Sequence, residues 1–209
     1  MCIIDNENKL IYIAISKCGT TSIQQYFKNI VGSPYIINSN ENEINKHSKA
    51  LDIKSFINSS SLSINYNDYH SITFIRNPFD WYVSWYEYCK RRRDNNNNNW
   101  LDTRNMTFKE FMEIEVNINR KLSKELLDFV IDENDKIIVN TIMKYEDGLE
   151  NQLQQFLNSR GIKCPKKMIY LNNSTHRNTT KYRHYYDKET IAIVEKLQQK
   201  TLHYFNYQY

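Results

Sequence analysis

The chain has 209 residues, 28 Lys+Arg against 24 Asp+Glu for a net charge of +4, and a hydrophobic content of 40%. That length suits one domain burying roughly 70% of its unfolded surface, and the mild positive charge favours an anionic ligand while falling short of the basic footprint of a nucleic-acid binder. Cys2, Cys18, Cys89 and Cys164 form no C-x-x-C pair, which argues against a zinc site or disulfide framework; no apolar run approaches the ~18–20 residues of a membrane span, and the first strand starts too near Met1 for a signal peptide, so a cytoplasmic protein is expected.

The apolar run Ile11–Ile15 predicts a strand that empties into Ser16-Lys17-Cys18-Gly19-Thr20-Thr21-Ser22. Ile23, Tyr26, Phe27, Ile30 and Val31 follow on one helical face and stop near Gly32-Ser33-Pro34. A shorter helical pattern holds Ala50, Ile53 and Ile57, and Ser71–Arg76 reads as a second buried strand ended by Asn77-Pro78. Trp81, Trp85 and Tyr88 then recur at helical spacing, so a second strand-loop-helix repeats the first; the two tryptophans are expected as packing residues. Lys90–Arg93 and the five asparagines 95–99 cannot form core and predict a mobile surface loop at about 90–100. Thr107-x-x-Glu110 is a capping box, and Asp147-x-x-Glu150 its acidic relative, with Gly161 as the stop of the later helix. Lys136–Val139 and Ile142-Met143 supply further strand, and Asp187 opens a closing helix carrying Val194, Leu197, Thr201 and Phe205. Alternating strands and helices imply a single α/β domain, residues 1–209, with a mostly parallel central sheet flanked by helices.

The first strand-loop-helix has the parts of an anion site. The first amides of a helix have no intrahelical partner, and they coincide with the positive end of the helix dipole. Gly19 allows close backbone approach, Thr20, Thr21 and Ser22 suit the cap and first turn, and Lys17 adds charge. Taken alone, this pattern also fits an ordinary cap. Arg76 closes the second strand and Ser84 lies eight residues on. A parallel sheet gathers ligand groups at the C-terminal ends of its strands, so these two residues suit a second phosphate.

The pair K-C-G-T-T-S at 17–22 and R-N-P-F-D-W-Y-V-S at 76–84 resembles the sulfotransferases that use 3′-phosphoadenosine 5′-phosphosulfate, in the carbohydrate-type, family 2-like branch. His47-Ser48-Lys49-Ala50, Phe108–Phe111, Lys144–Asp147, Leu171–Ser174 and Tyr185-Tyr186-x-x-Glu189-Thr190 look like further landmarks of that branch, so the likeness covers nearly the whole chain. The resemblance implies a P-loop-like sulfotransferase fold and sulfuryl transfer to a hydroxyl of a saccharide or small molecule, leaving 3′-phosphoadenosine 5′-phosphate. No metal, nucleic acid or membrane partner is implied. Lys17 would meet the oxygen that bridges phosphate and sulfate. With Cys18 in the same donor-binding loop, the amides of Gly19 to Ser22 and the hydroxyls of Thr20, Thr21 and Ser22 would grip the 5′-phosphate, and Arg76 and Ser84 the 3′-phosphate. Ser174 and Arg177 sit in a segment that in relatives folds over the nucleotide and gives a basic residue to the 3′-phosphate, a part that Arg177 or Lys181 would take here. Asn140 stands where the family often has Asp.

A general base must take the proton of the attacking hydroxyl, and histidine suits that task near neutral pH. Of five histidines, His47 matches the family position for such a base. His70 precedes the second strand at its N-terminal end, the wrong edge for the site. Cys18, beside a helix N-terminus, is expected to have an acidified thiol open to oxidation. Two other readings compete. A P-loop nucleotide kinase lacks its G-x-x-x-x-G-K-[ST], because Lys17 precedes its glycine rather than following one. A sulfotransferase-like binding protein without catalysis is opposed by the intact Lys17.

Overall fold

A computed structural model describes residues 2–30, 35–37, 47–60, 64–91, 103–117, 125–164, 167–171 and 181–209. The asparagine-rich stretch, Ser174 and Arg177 lie outside these residues. The chain groups into two compact units, Met1–Arg76 with Leu127–Asn173, and Asn77–Leu126 with Ser174–Tyr209.

The first unit is built on a five-stranded sheet of order β3-β1-β2-β4-β5, with β1 Cys2–Asp5, β2 Leu10–Ile13, β3 Tyr35–Ile37, β4 His70–Ile75 and β5 Thr141–Lys144. Its parallel part is β2-β4-β5, and β1 adds antiparallel to β2 and to β3. The sheet is therefore mixed rather than mostly parallel. The difference arises at Cys2–Asp5, a four-residue strand too short to show a period. Its turn is made by the Asp5 carboxylate, which accepts from the Asn8 N–H at 3.0 Å and the Asn8 side-chain amide at 2.6 Å. Strands β1, β2 and β4 are buried almost throughout, as expected of near-continuous apolar runs. Only Thr141–Lys144 joins the sheet from the later strand region. Lys136–Val139 instead makes one bridge, Ile137 to Ile131.

Helix α1, Thr20–Ile30, buries Ile23, Tyr26 and Phe27, and the Phe27 ring stacks on Tyr12 of β2 at 5.8 Å between centroids. Helix α2, Ala50–Ser59, buries the predicted Ala50, Ile53 and Ile57. A later helix, Leu149–Ser159, buries Leu149, Leu153 and Leu157 and ends before Gly161 at φ +73°. Its start differs from expectation. Gly148, at φ +91°, is the cap, and the Glu150 carboxylate accepts from the Met168 N–H at 2.6 Å instead of closing a box with Asp147.

In the second unit, α3 spans Pro78–Arg91 and α4 Phe108–Asn117; with the Leu149–Ser159 helix taken as α5, α6 spans Lys188–Leu197 and α7 Gln199–Phe205. The Thr107 capping box is formed: the Glu110 N–H donates to the Thr107 hydroxyl at 3.2 Å and its carboxylate accepts from the Thr107 N–H at 2.7 Å. Asp187 caps α6 through the Thr190 N–H at 2.8 Å. The closing helix breaks at Gln198, whose fully buried side chain accepts from the Leu126 N–H at 2.9 Å. Trp81 and Trp85 are buried in this unit, stacked at 6.3 Å. Among the described residues no helix is long and apolar enough to cross a membrane.

Candidate functional site

Strand β2 runs out at Ile13, and the chain turns through residues 16–19 into α1. The Cys18 N–H closes the turn on the Ile15 carbonyl at 3.4 Å, and the Thr20 hydroxyl donates to the same carbonyl at 2.7 Å. The first main-chain bond into the helix runs from the Ile23 N–H to the Gly19 carbonyl at 3.1 Å, so the amides of residues 20–22 lie ahead of the ladder. Lys17 holds φ +62° and Gly19 φ +76°. A left-handed lysine costs about 1–2 kcal/mol, so the surrounding structure must hold it there. Gly19 is required twice over. Its φ suits glycine, and a Cβ there would collide with the side chain of Leu149. The missing side chain at Gly19 therefore makes way for Leu149, which packs directly against the turn.

Strand β4 delivers Arg76 to the same edge of the sheet. Its guanidinium, in a residue only 9% exposed, donates through Nη1 to the Lys17 carbonyl at 2.9 Å, joining two motifs 59 residues apart. One face of the guanidinium lies over the ring of Tyr145, 4.4 Å from its centroid. Tyr145 was not among the expected site residues. It belongs to the Lys144–Asp147 landmark, and no periodicity or charge pattern singles it out.

His47 reaches this edge too. Its Nδ1 lies 2.9 Å from the carbonyl oxygen of Ala14, just beyond β2. A carbonyl only accepts, so Nδ1 must carry the proton, and the neutral imidazole then has its lone pair on Nε2. Two residues on, the Lys49 ammonium pairs with Asp128 at 3.2 Å, which fixes the start of α2.

Other expected residues are placed differently. The Ser22 hydroxyl is buried; it accepts from the Leu171 N–H at 2.9 Å and donates to the Leu171 carbonyl at 3.4 Å. Thr20 and Ser22, two of the three hydroxyls expected on the phosphate, thus both bond main-chain groups in this structure. The Cys18 thiol is fully buried and does not present itself to an oxidant. Ser84 is half-buried on α3 in the second unit. Asn140 lies at the opposite end of the sheet, where its side-chain oxygen accepts from the Ser71 N–H and hydroxyl, each at 2.8 Å. An aspartate would accept the same two bonds, so the departure from Asp keeps the acceptor. His70 sits at that end as well, with Nε2 2.8 Å from the Thr141 hydroxyl. Among the described residues no group of three or more His, Cys, Asp or Glu is arranged to hold a metal.

Lys17, the start of α1, Arg76 and His47 thus collect at the C-terminal edge of the parallel strands. A search of the curated proteins returns no match. A family model described as the sulfotransferase family matches residues 1–208, through both structural units. With that match over nearly its whole length and an α/β fold of the expected kind, the chain belongs to the sulfotransferase family.

Proposed function

We propose that the protein transfers a sulfuryl group from 3′-phosphoadenosine 5′-phosphosulfate to a hydroxyl of a saccharide or small-molecule acceptor by in-line displacement, without a metal. The observation that carries this reading is the buried Arg76 guanidinium bonded to the Lys17 carbonyl, because it fixes a cation beside the turn that leads into α1. A ligand anionic at two points suits that pair. The residues present fit the donor: the turn at 16–19 leads into the N-terminus of α1, and Arg76 offers a planar fork suited to a phosphate.

The donor, when bound, supplies a sulfuryl group whose departure leaves added charge on the phosphate oxygen. Lys17 stabilises that charge more in the transition state than in the ground state, which is what lowers a barrier. The amides at the start of α1 hold the 5′-phosphate. Arg76 holds the 3′-phosphate, with Ser84 as its partner in the sequence motif. His47 takes the acceptor proton on Nε2, the nitrogen left basic by the Nδ1–H bond to Ala14.

Calorimetry with 3′-phosphoadenosine 5′-phosphate and with ATP tests the donor class. Micromolar or tighter binding of the first and none of the second is the expected result; preference for ATP would point to a nucleotide kinase instead.

A further inference from the structure

Three neighbouring parallel strands each send one residue to the same edge of the sheet. The register pairs Ile13 with Thr73 and Ile75 with Lys144. Continued past the strand ends, it sets Ser16, next to Lys17, level with Arg76, and Arg76 level with Tyr145. The contacts follow that order: the Arg76 guanidinium gives a hydrogen bond to the Lys17 carbonyl on one side and stacks on the Tyr145 ring on the other. Tyr145 is itself held in place. The Gln152 side chain donates to the Lys144 carbonyl at 2.6 Å and to the Gly148 carbonyl at 3.1 Å, and the Gly148 N–H returns to the Tyr145 carbonyl at 3.3 Å. The next residue, Leu149, is the one that packs against Gly19. The β5–α5 connection therefore supports the phosphate loop at two points, through Arg76 and through Gly19.

We propose that Tyr145 is a positioning residue that acts through Arg76: its ring orients the guanidinium toward the Lys17 carbonyl, and that bond keeps the Lys17 turn in its left-handed form. The proposal rests on the reading of Lys17 and Arg76 as donor-binding residues. An arginine side chain is long and loses rotamer freedom when fixed, and a planar aromatic face beside it restricts it to one orientation. A charged donor on the carbonyl is a stronger restraint than a neutral one. Tyr145 thereby influences the 5′-phosphate cradle, not only the arginine it touches.

The test uses the full chain with Tyr145→Phe and Tyr145→Leu. One measurement is amide hydrogen exchange over residues 16–20 without ligand. The other is calorimetric affinity for adenosine 3′,5′-bisphosphate and for adenosine 5′-phosphate, which lacks the group that Arg76 would bind. Tyr145→Phe keeps the aromatic face and should stay within about twofold of the parent in every measurement, whereas loss of the face in Tyr145→Leu should speed exchange at Cys18 and Gly19 and weaken both nucleotides by about tenfold. Unchanged exchange in Tyr145→Leu overturns the proposal. So does weakening confined to the bisphosphate, since the ring would then serve only the 3′-phosphate contact. If the parent protein binds neither nucleotide, the donor reading has failed, and the exchange comparison still decides whether Tyr145 braces the loop. Should Tyr145→Leu fail to fold, Arg76→Lys replaces it, because an ammonium cannot stack and bond the carbonyl in the same way. Exchange at parental rates in that variant overturns the brace.

Discussion

The two ends of strand β2 carry nearly the same chemistry and use it differently. Each is flanked by a lysine in left-handed conformation, Lys9 at φ +53° before the strand and Lys17 at φ +62° after it. Each edge has a cation over a tyrosine ring, Lys9 over Tyr69 at 4.9 Å and Arg76 over Tyr145 at 4.4 Å. Each also has a histidine, His70 on the Thr141 hydroxyl and His47 on the Ala14 carbonyl. At the N-terminal edge the turn brings its own anion: Asp5, 1% exposed, takes up the Asn8 amide. Residues 16–19 at the other edge include no acid and lead directly into a helix N-terminus. There the side chains bond main-chain carbonyls, which orients a charge or a lone pair without neutralising it. Strand direction, through the helix that follows, separates a structural edge from the one we propose receives an anion.

Replacing the two lysines gives the sharpest break of this comparison. Lys17→Ala should lower kcat by roughly 10²–10³, in the range seen when a transition-state donor is removed. Lys9→Ala should leave steady-state rates within about twofold. Comparable losses from both would erase the distinction between the edges. His47→Ala should lower kcat while calorimetric donor affinity stays near the parent value, and a normal rate would move the base elsewhere.

Gly19→Ala combines a disfavoured φ with the Leu149 collision, so a destabilisation of about 1–3 kcal/mol in urea titration is expected. The double variant Gly19→Ala, Leu149→Ala removes the collision and keeps the strained φ. Its loop function should recover only in part, measured as nucleotide affinity. Full recovery would mean that φ at Gly19 is unimportant.

The smallest effect concerns His70. Burial, and secondly the positive charge of Arg160, holds its pKa below the ordinary 6.5. The folded chain then binds fewer protons there than the unfolded chain, so this residue subtracts stability as pH falls from about 6.5 toward the lowered folded value. His70→Gln keeps a hydrogen-bonding group for Thr141 and should flatten that acid limb in melts between pH 7 and 5. An unchanged limb would assign the acid sensitivity to other groups.

Much of this was legible from residues alone. Ile23, Tyr26 and Phe27 of the first helical period and Ala50, Ile53 and Ile57 of the second are buried as expected, and the Thr107 and Asp187 caps form because their partners lie within one turn. Local rules failed where a distant group competed. Glu150 answers the Met168 amide rather than a capping box, and the Ser22 hydroxyl bonds the Leu171 main chain, 149 residues away. Cys2–Asp5 was missed as a strand because its partners, not its pattern, define it.

By itself, the sequence determined the strand-loop-helix at 11–31, the second basic motif at 76–84, and through their order and spacing the family to which the chain belongs. These are local features, set by period, glycine placement and hydroxyl caps. Only the tertiary structure decided that Arg76 bonds the Lys17 carbonyl, that Tyr145 and Leu149 stand against the loop, and that His47 carries its proton on Nδ1. Those facts depend on strand register and on contacts between residues tens of positions apart, for which a single sequence contains no periodic signal.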